Sequence, residues 1–109
     1  MVAVKQQHRE IWNEVYHRPT LARITQRDVD LSKEPISFEE RLFAKLLVLH
    51  LDTVYRAMKV GMFVKLDGIQ KDIAESFTSP ILDAVWRDVK PFQDEDFVVF
   101  VENCIRARL

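Results

Sequence analysis

The chain contains one cysteine, two glycines and four prolines among 109 residues. The single thiol, Cys104, excludes an internal disulfide and fits a reducing compartment. So little glycine and proline leaves no material for a long flexible linker. Glycine is also too sparse to cradle a phosphate: Gly61 and Gly68 lack the spacing of a dinucleotide-binding turn, and the sequence has no nucleophile elbow and no CxxC pair. A bias of charge is missing too. Sixteen basic and seventeen acidic residues are scattered along the chain, for a net charge of −1. Nucleic-acid binding rests on a basic footprint that neutralises phosphates, so no DNA or RNA partner is expected.

Long apolar runs are absent as well. The most apolar stretch, Leu42 to Leu51, is interrupted by Lys45 and His50 and is about half the roughly 20 residues of a membrane helix. The N-terminal MVAVKQQHRE has no apolar centre of the kind a signal peptide needs. The chain as it stands is therefore expected to be soluble, without membrane insertion.

What is present is enough apolar residue for one core. Nearly half the residues are hydrophobic, and a chain this long buries about two-thirds of its unfolded surface. One domain over residues 1–109 is the expectation. Val4, His8, Ile11, Trp12, Val15 and Tyr16 recur on one side at about 100° per residue, predicting a helix over 3–17. Pro19 ends it and opens a short helix, PTLARIT. A loop follows, with Val29, Leu31 and Ile36 to hold it to the core. Ser37 and Glu40 have the spacing of a capping box, and Gly61 suits the left-handed position after a helix, so a long central helix spans about 37–60.

Asp67 reads as the cap of a further helix carrying Ile69, Ile73, Ala74 and Phe77. Ser79-Pro80 reads as cap and first residue of another, carrying Ile81, Leu82, Val85, Trp86 and Val89. FVVFV would serve as a strand. However, Asp94, Glu95 and Asp96 precede it and Arg106 and Arg108 follow it, matching a helix dipole at both ends. A helix over about 96–106 is expected, and the fold class is all-α: a compact bundle of five or six helices around the long one.

On the long helix Arg41, Lys45, Asp52, Arg56 and Lys59 share an arc of about 60°, predicting a narrow wet stripe on an otherwise apolar cylinder. His50 lies across the helix from that stripe and is expected buried and uncharged. His8 is on the apolar face of the first helix and Cys104 on that of the last. These three are the candidate metal ligands. No local pairing pre-forms a site, however, and a buried cysteine is ordinary as a small hydrophobe. The expectation is no metal, no cofactor and no catalytic residue. Trp12 and Trp86 are expected as core anchors, His17 as a solvated side chain.

The order of landmarks resembles a family. A Trp-bearing helix runs into HRPTLARI, then a long helix with YRAMKVG, an aromatic helix with VWRDVKPF, and DFVVFVEN. Over roughly Ile11 to Glu102 this resembles a bacterial family of small all-helical domains of unknown function, often placed behind one or two N-terminal membrane helices. The resemblance implies a helical domain and supplies no catalytic residues. It implies a cytoplasmic setting, or the cytoplasmic face of the inner membrane where an anchor precedes the chain; Val2-Ala3-Val4 would then be the stub of that anchor.

The functional expectation is a non-enzymatic helical interaction or regulatory domain, as the cytoplasmic module of a membrane-tethered bacterial protein. The alternative is a small-molecule or metal-binding helical protein with a site near His50; a further reading is a small-molecule sensor with a pocket between the long helix and the Trp86 helix. Partners are expected to be proteins, including a second copy. The first and last helices are expected to pack on each other and on the long helix. Val99, set among Glu102, Asn103 and Arg106, marks a residual apolar edge for homodimerisation.

Overall fold

The computed structural model describes residues 2–61 and 66–107, with side chains described except at positions 2–5, 7, 8, 66 and 67. Five α-helices follow in order: α1 Val2–His17, α2 Phe38–Lys59, α3 Leu66–Ser76, α4 Pro80–Val89 and α5 Glu95–Ala107. Two 3₁₀ segments join them, Pro19–Thr25 after α1 and Lys90–Phe92 after α4. The described residues contain no strand, so the ambiguous FVVFV run is helical. The expected all-α bundle around a long central helix is what forms.

Local chemistry sets the ends of α2. Ser37 is extended; its hydroxyl accepts from the Glu40 N–H at 3.1 Å while the Glu40 carboxylate accepts from the Ser37 N–H at 2.9 Å. Two of the four donors orphaned at a helix start are thereby satisfied. Glu40 is also 2 % exposed, and Arg23 of the first 3₁₀ segment approaches it, Nε lying 3.4 Å from Oε2. That is close enough for charge attraction, though too poorly aligned for a hydrogen bond. The same guanidinium pairs with the Glu34 carboxylate at 2.8 Å and donates to the Glu34 carbonyl at 2.9 Å. Arg23 thus fastens the 3₁₀ segment and the following loop to the start of α2.

At the other end Gly61 adopts φ +80° and its N–H donates to the Met58 carbonyl at 3.1 Å, closing the helix in the left-handed conformation that costs other residues about 1–2 kcal/mol.

The loop before α2 turns on Asp30, whose carboxylate accepts from the Ser32 N–H at 3.0 Å and the Ser32 hydroxyl at 2.6 Å. The Ser32 hydroxyl and N–H hold the Asp30 carboxyl below its usual range. Val29, Leu31 and Ile36 pack against the core as expected. Ser79 caps α4, accepting from the Leu82 N–H at 3.3 Å. α3 begins at Leu66, one residue before Asp67; Asp67 and Gly68 therefore stand inside the first turn and do not precede it.

α2 packs on α1, the first 3₁₀ segment, α3 and α4, while α5 lies mainly on α3. α1 packs on the long helix as expected, but α1 and α5 do not form a principal packing pair with each other. Each has a closer neighbour in sequence to cover its apolar face. One cluster of buried side chains runs through the molecule, from Ile11 and Val15 through Leu47, Ile73 and Ile81 to Val101. Trp86 sits at its centre, 1 % exposed, edge-on to Phe97 with centroids 5.8 Å apart and tilted against Phe77 at 5.7 Å.

The two glycines yield a paired test. A β-carbon would meet nothing within 4 Å at either position, yet only Gly61 has a left-handed backbone. Gly61→Ala is expected to cost about 1 kcal/mol. Gly68→Ala is expected to gain roughly 0.5 kcal/mol by narrowing the unfolded ensemble. Urea titration of both variants reads the opposite signs.

Candidate interaction surface

Helical phase places Phe38, Leu42, Leu46, Leu49, Thr53 and Val60 within an arc of about 80° on α2 and its C-terminal residue. No packed element covers them: Phe38 is 79 % exposed, Leu42 52 %, Leu46 46 %, Leu49 60 % and Val60 74 %. Thr53 turns its hydroxyl inward to donate to the Leu49 carbonyl at 3.1 Å, which leaves its methyl to the outside. The exposed arc of α2 is therefore about 140° wide, a charged stripe beside an apolar one. This corrects the narrow wet stripe expected from the sequence. The wheel orders residues by direction, but how many neighbours are available to cover each direction is a tertiary matter.

The charged stripe is engaged on the side facing α4 and α5. Arg41 pairs with Asp88 of α4 at 2.8 Å. Arg56 pairs with Asp52 one turn earlier at 3.2 Å and with Asp94 before α5, and Lys59 pairs with Asp96 at 2.7 Å. Hydrogen bonding and attraction from Asp52, then Asp94, raise the Arg56 pKa; Asp96 does the same for Lys59, whose ammonium in turn lowers the Asp96 carboxyl. Asp94 and Asp96, two of the acidic trio expected to serve a helix dipole, thus also tie α5 to the end of α2. Tyr55 reinforces the join: it stacks obliquely on Phe97 and Phe100, with centroids 5.7 and 4.7 Å away, and its hydroxyl donates to Asp96 at 3.4 Å. Lys45, in the middle of the stripe, is exposed and has no ion-pair partner among the described residues.

The sequence-predicted site residues are distributed as follows. His50 is 1 % exposed, on the α2 face shared with Phe43, Val54 and Ala57, as the wheel requires. Cys104 is 4 % exposed on α5, beside a groove between α3 and α5 that Lys71 and Ala74 also line, and burial pushes its thiol pKa up. The His8 side chain lies outside the described residues. Among the described residues no three His, Cys, Asp or Glu side chains gather to hold a metal ion. Open grooves lie between the first 3₁₀ segment, α3 and the start of α4, between α4 and α5, and between α3 and α5; His50 lines none of these.

Trp86 anchors the core as expected, and its indole N–H donates to Glu102 at 3.1 Å. Trp12 is half-buried against the core. His17 is exposed with Nδ1 donating to the Asn13 carbonyl at 2.8 Å. Tyr16, placed on the apolar face by periodicity, is 80 % exposed: α1 ends beside it, and the face it shares with Trp12 has run out of neighbours. Val99 is half-exposed, as read from the sequence.

No helix among the described residues is long and apolar enough to cross a membrane. No family model, curated protein or solved structure matches the chain.

Two outcomes check this geometry. Glu102 accepts from both Lys90 at 2.9 Å and Trp86, and the Lys90 ammonium, more than the indole, holds its carboxyl below the ordinary glutamate range. A depressed carboxyl contributes stability above its unfolded pKa, lost as pH falls through the folded value. Glu102→Gln keeps the indole acceptor and removes the ion pair. With the site partly open to water, its cost is expected to be about 0.5–1 kcal/mol at pH 7 and to shrink toward about pH 3 as the carboxyl is protonated. Urea unfolding followed by tryptophan fluorescence at both pH values measures the difference.

Cys104 is expected to react with a disulfide reagent about tenfold slower or more in the native protein than in denaturant, because the thiol is both covered and hard to ionise. A stopped-flow absorbance trace gives both rates.

Proposed function

We propose that this chain is a non-enzymatic helical interaction domain and that its working surface is the apolar stripe of α2. One observation carries the reading. The five apolar side chains from Phe38 to Val60 are 46 to 79 % exposed along one helix face, and together they present on the order of 500 Å² of apolar surface, near the upper range for the largest patch on a monomer. Leaving leucines at three successive turns in water has a free-energy cost, and a partner that covers them removes it. The order of landmarks that resembles a bacterial helical family, among them Trp12, Tyr55, Arg56 and Trp86, adds the proposal of a cytoplasmic, membrane-proximal setting in which such a surface receives a protein partner.

The reading is tested by placing a photo-crosslinking amino acid at Leu49, and at Lys33 as an exposed control, in the source cell. A discrete adduct from position 49 and none from position 33 supports the surface; no adduct at 49 overturns it. With the probe kept at position 49, the double variant Leu42→Glu, Leu46→Glu is expected to abolish the adduct. Since both side chains are exposed, it should change folding stability by about 0.5 kcal/mol or less, read by thermal melting.

A further inference from the structure

The α2 stripe has the spacing of a coiled-coil seam. Leu42, Leu46, Leu49, Thr53 and Val60 fall at alternating intervals of three and four residues, with Arg56 completing the series between the last two. That is the pattern by which side chains of one helix fill the gaps of another. Only one flank of this seam is available for charge pairing. Lys45, Asp52 and Lys59 lie on the flank outside the core, Lys45 exposed, Asp52 20 % exposed and paired with Arg56, and Lys59 half-exposed and paired with Asp96, whereas the equivalent positions on the other flank, Phe43, His50 and Ala57, are buried in the chain's own core.

We infer that the occupant of this stripe is a second copy of the same helix, packed antiparallel about a two-fold axis that passes between Leu47 and Val48. The inference rests on the proposal that the stripe is an interaction surface, and it names the partner. Charge order decides the orientation. Packed parallel, each open flank would face the partner's buried flank, and Lys45 and Asp52 would meet no counter-charge. Packed antiparallel, open flank faces open flank, and Lys45 meets the partner's Asp52 twice by symmetry. The apolar register agrees: Leu46 meets the partner's Leu49 and Leu42 meets the partner's Thr53. An isologous two-fold contact of this kind requires one self-complementary patch, and the order leucine, lysine, leucine, leucine, aspartate along Leu42 to Asp52 is such a patch.

Area agrees with a weak, concentration-dependent dimer. A standard interface buries about 800 Å² per partner. The apolar stripe supplies on the order of 500 Å², and the stems of Lys45, Asp52 and Arg56 contribute to the rest. The Val99 edge read from the sequence offers far less, one half-exposed apolar residue.

Sedimentation equilibrium of the whole chain, from about 1 µM to 1 mM, is the test. The expected result is a mass rising from 12.9 kDa toward twice that value. Lys45→Glu alone and Asp52→Lys alone are each expected to raise the dissociation constant about tenfold, and the two together to return it to within about threefold of the starting value. Urea unfolding of each variant establishes that the monomer is intact, which matters for Asp52 because it also pairs with Arg56. Val99→Glu is expected to leave the dissociation constant unchanged.

A mass of 12.9 kDa at every concentration overturns the second copy as occupant. So does a dimer indifferent to the Lys45 and Asp52 reversals. If the mass stays monomeric while the Leu49 photo-adduct persists in cells, the interaction surface stands and its partner is a foreign chain. If both fail, the surface itself is rejected.

Discussion

A helix of 22 residues is about 33 Å long, and the other helices of this chain have 10 to 16 residues. The whole molecule measures 43 Å along its long axis and 25 Å across the shortest. That mismatch of lengths is the constraint on which the rest of the structure depends. α1, the first 3₁₀ segment, α3 and α4 all lean on α2, and the buried residues they share with it form a single core. Four short elements cover the inner side of a long cylinder and leave its outer side open. Where they do cover it, Phe43, Leu47, Leu51 and Val54 are buried; where they do not, leucines from the same helix stand in water. The unpartnered stripe follows from the packing geometry and not from any local oddity of α2.

The long helix also organises the charges. Arg41, Arg56 and Lys59 reach across to Asp88, Asp94 and Asp96, so one row of cations on α2 meets acids contributed by α4 and by the start of α5. Exposed pairs of this kind contribute little stability individually. Their effect is to select the angle at which α5 approaches, with Tyr55 against Phe97 and Phe100 supplying the apolar contact beneath them. Arg23 does a comparable service at the other end, where it joins the 3₁₀ segment, the loop at Glu34 and the buried carboxylate of Glu40. A carboxylate removed from water needs several hydrogen bonds or a cation nearby. Glu40 has the Ser37 N–H and the Arg23 guanidinium.

Chemistry-bearing side chains contribute to the core more than to a site. His50 is sealed inside α2's inner face and Cys104 inside that of α5. Neither belongs to a metal-holding group among the described residues. Glu102, whose carboxyl is held low, serves the indole of Trp86 and the ammonium of Lys90; its role there is to satisfy a buried donor.

The elements, and most of their ends except the start of α3, were legible from local chemistry. Ser37 with Glu40, Gly61, Ser79 with Pro80, and the acids before Phe97 act within one helical turn of where they stand, so their meaning survives without knowledge of the fold. The direction of His50 was legible for the same reason: phase along a helix is a local property. The phase of Tyr16 was equally legible and yet misjudged its burial, as did the narrow wet stripe inferred for α2. Burial depends on what stands opposite, and that is set by the lengths and angles of elements remote in the chain. Arg23 with Glu40, and Arg56 and Lys59 with Asp94 and Asp96, were invisible to periodicity because their partners are 17 or more positions apart. Only the tertiary structure decided which apolar face would go uncovered, because coverage is a count of neighbours, and a sequence pattern contains phase but no neighbours.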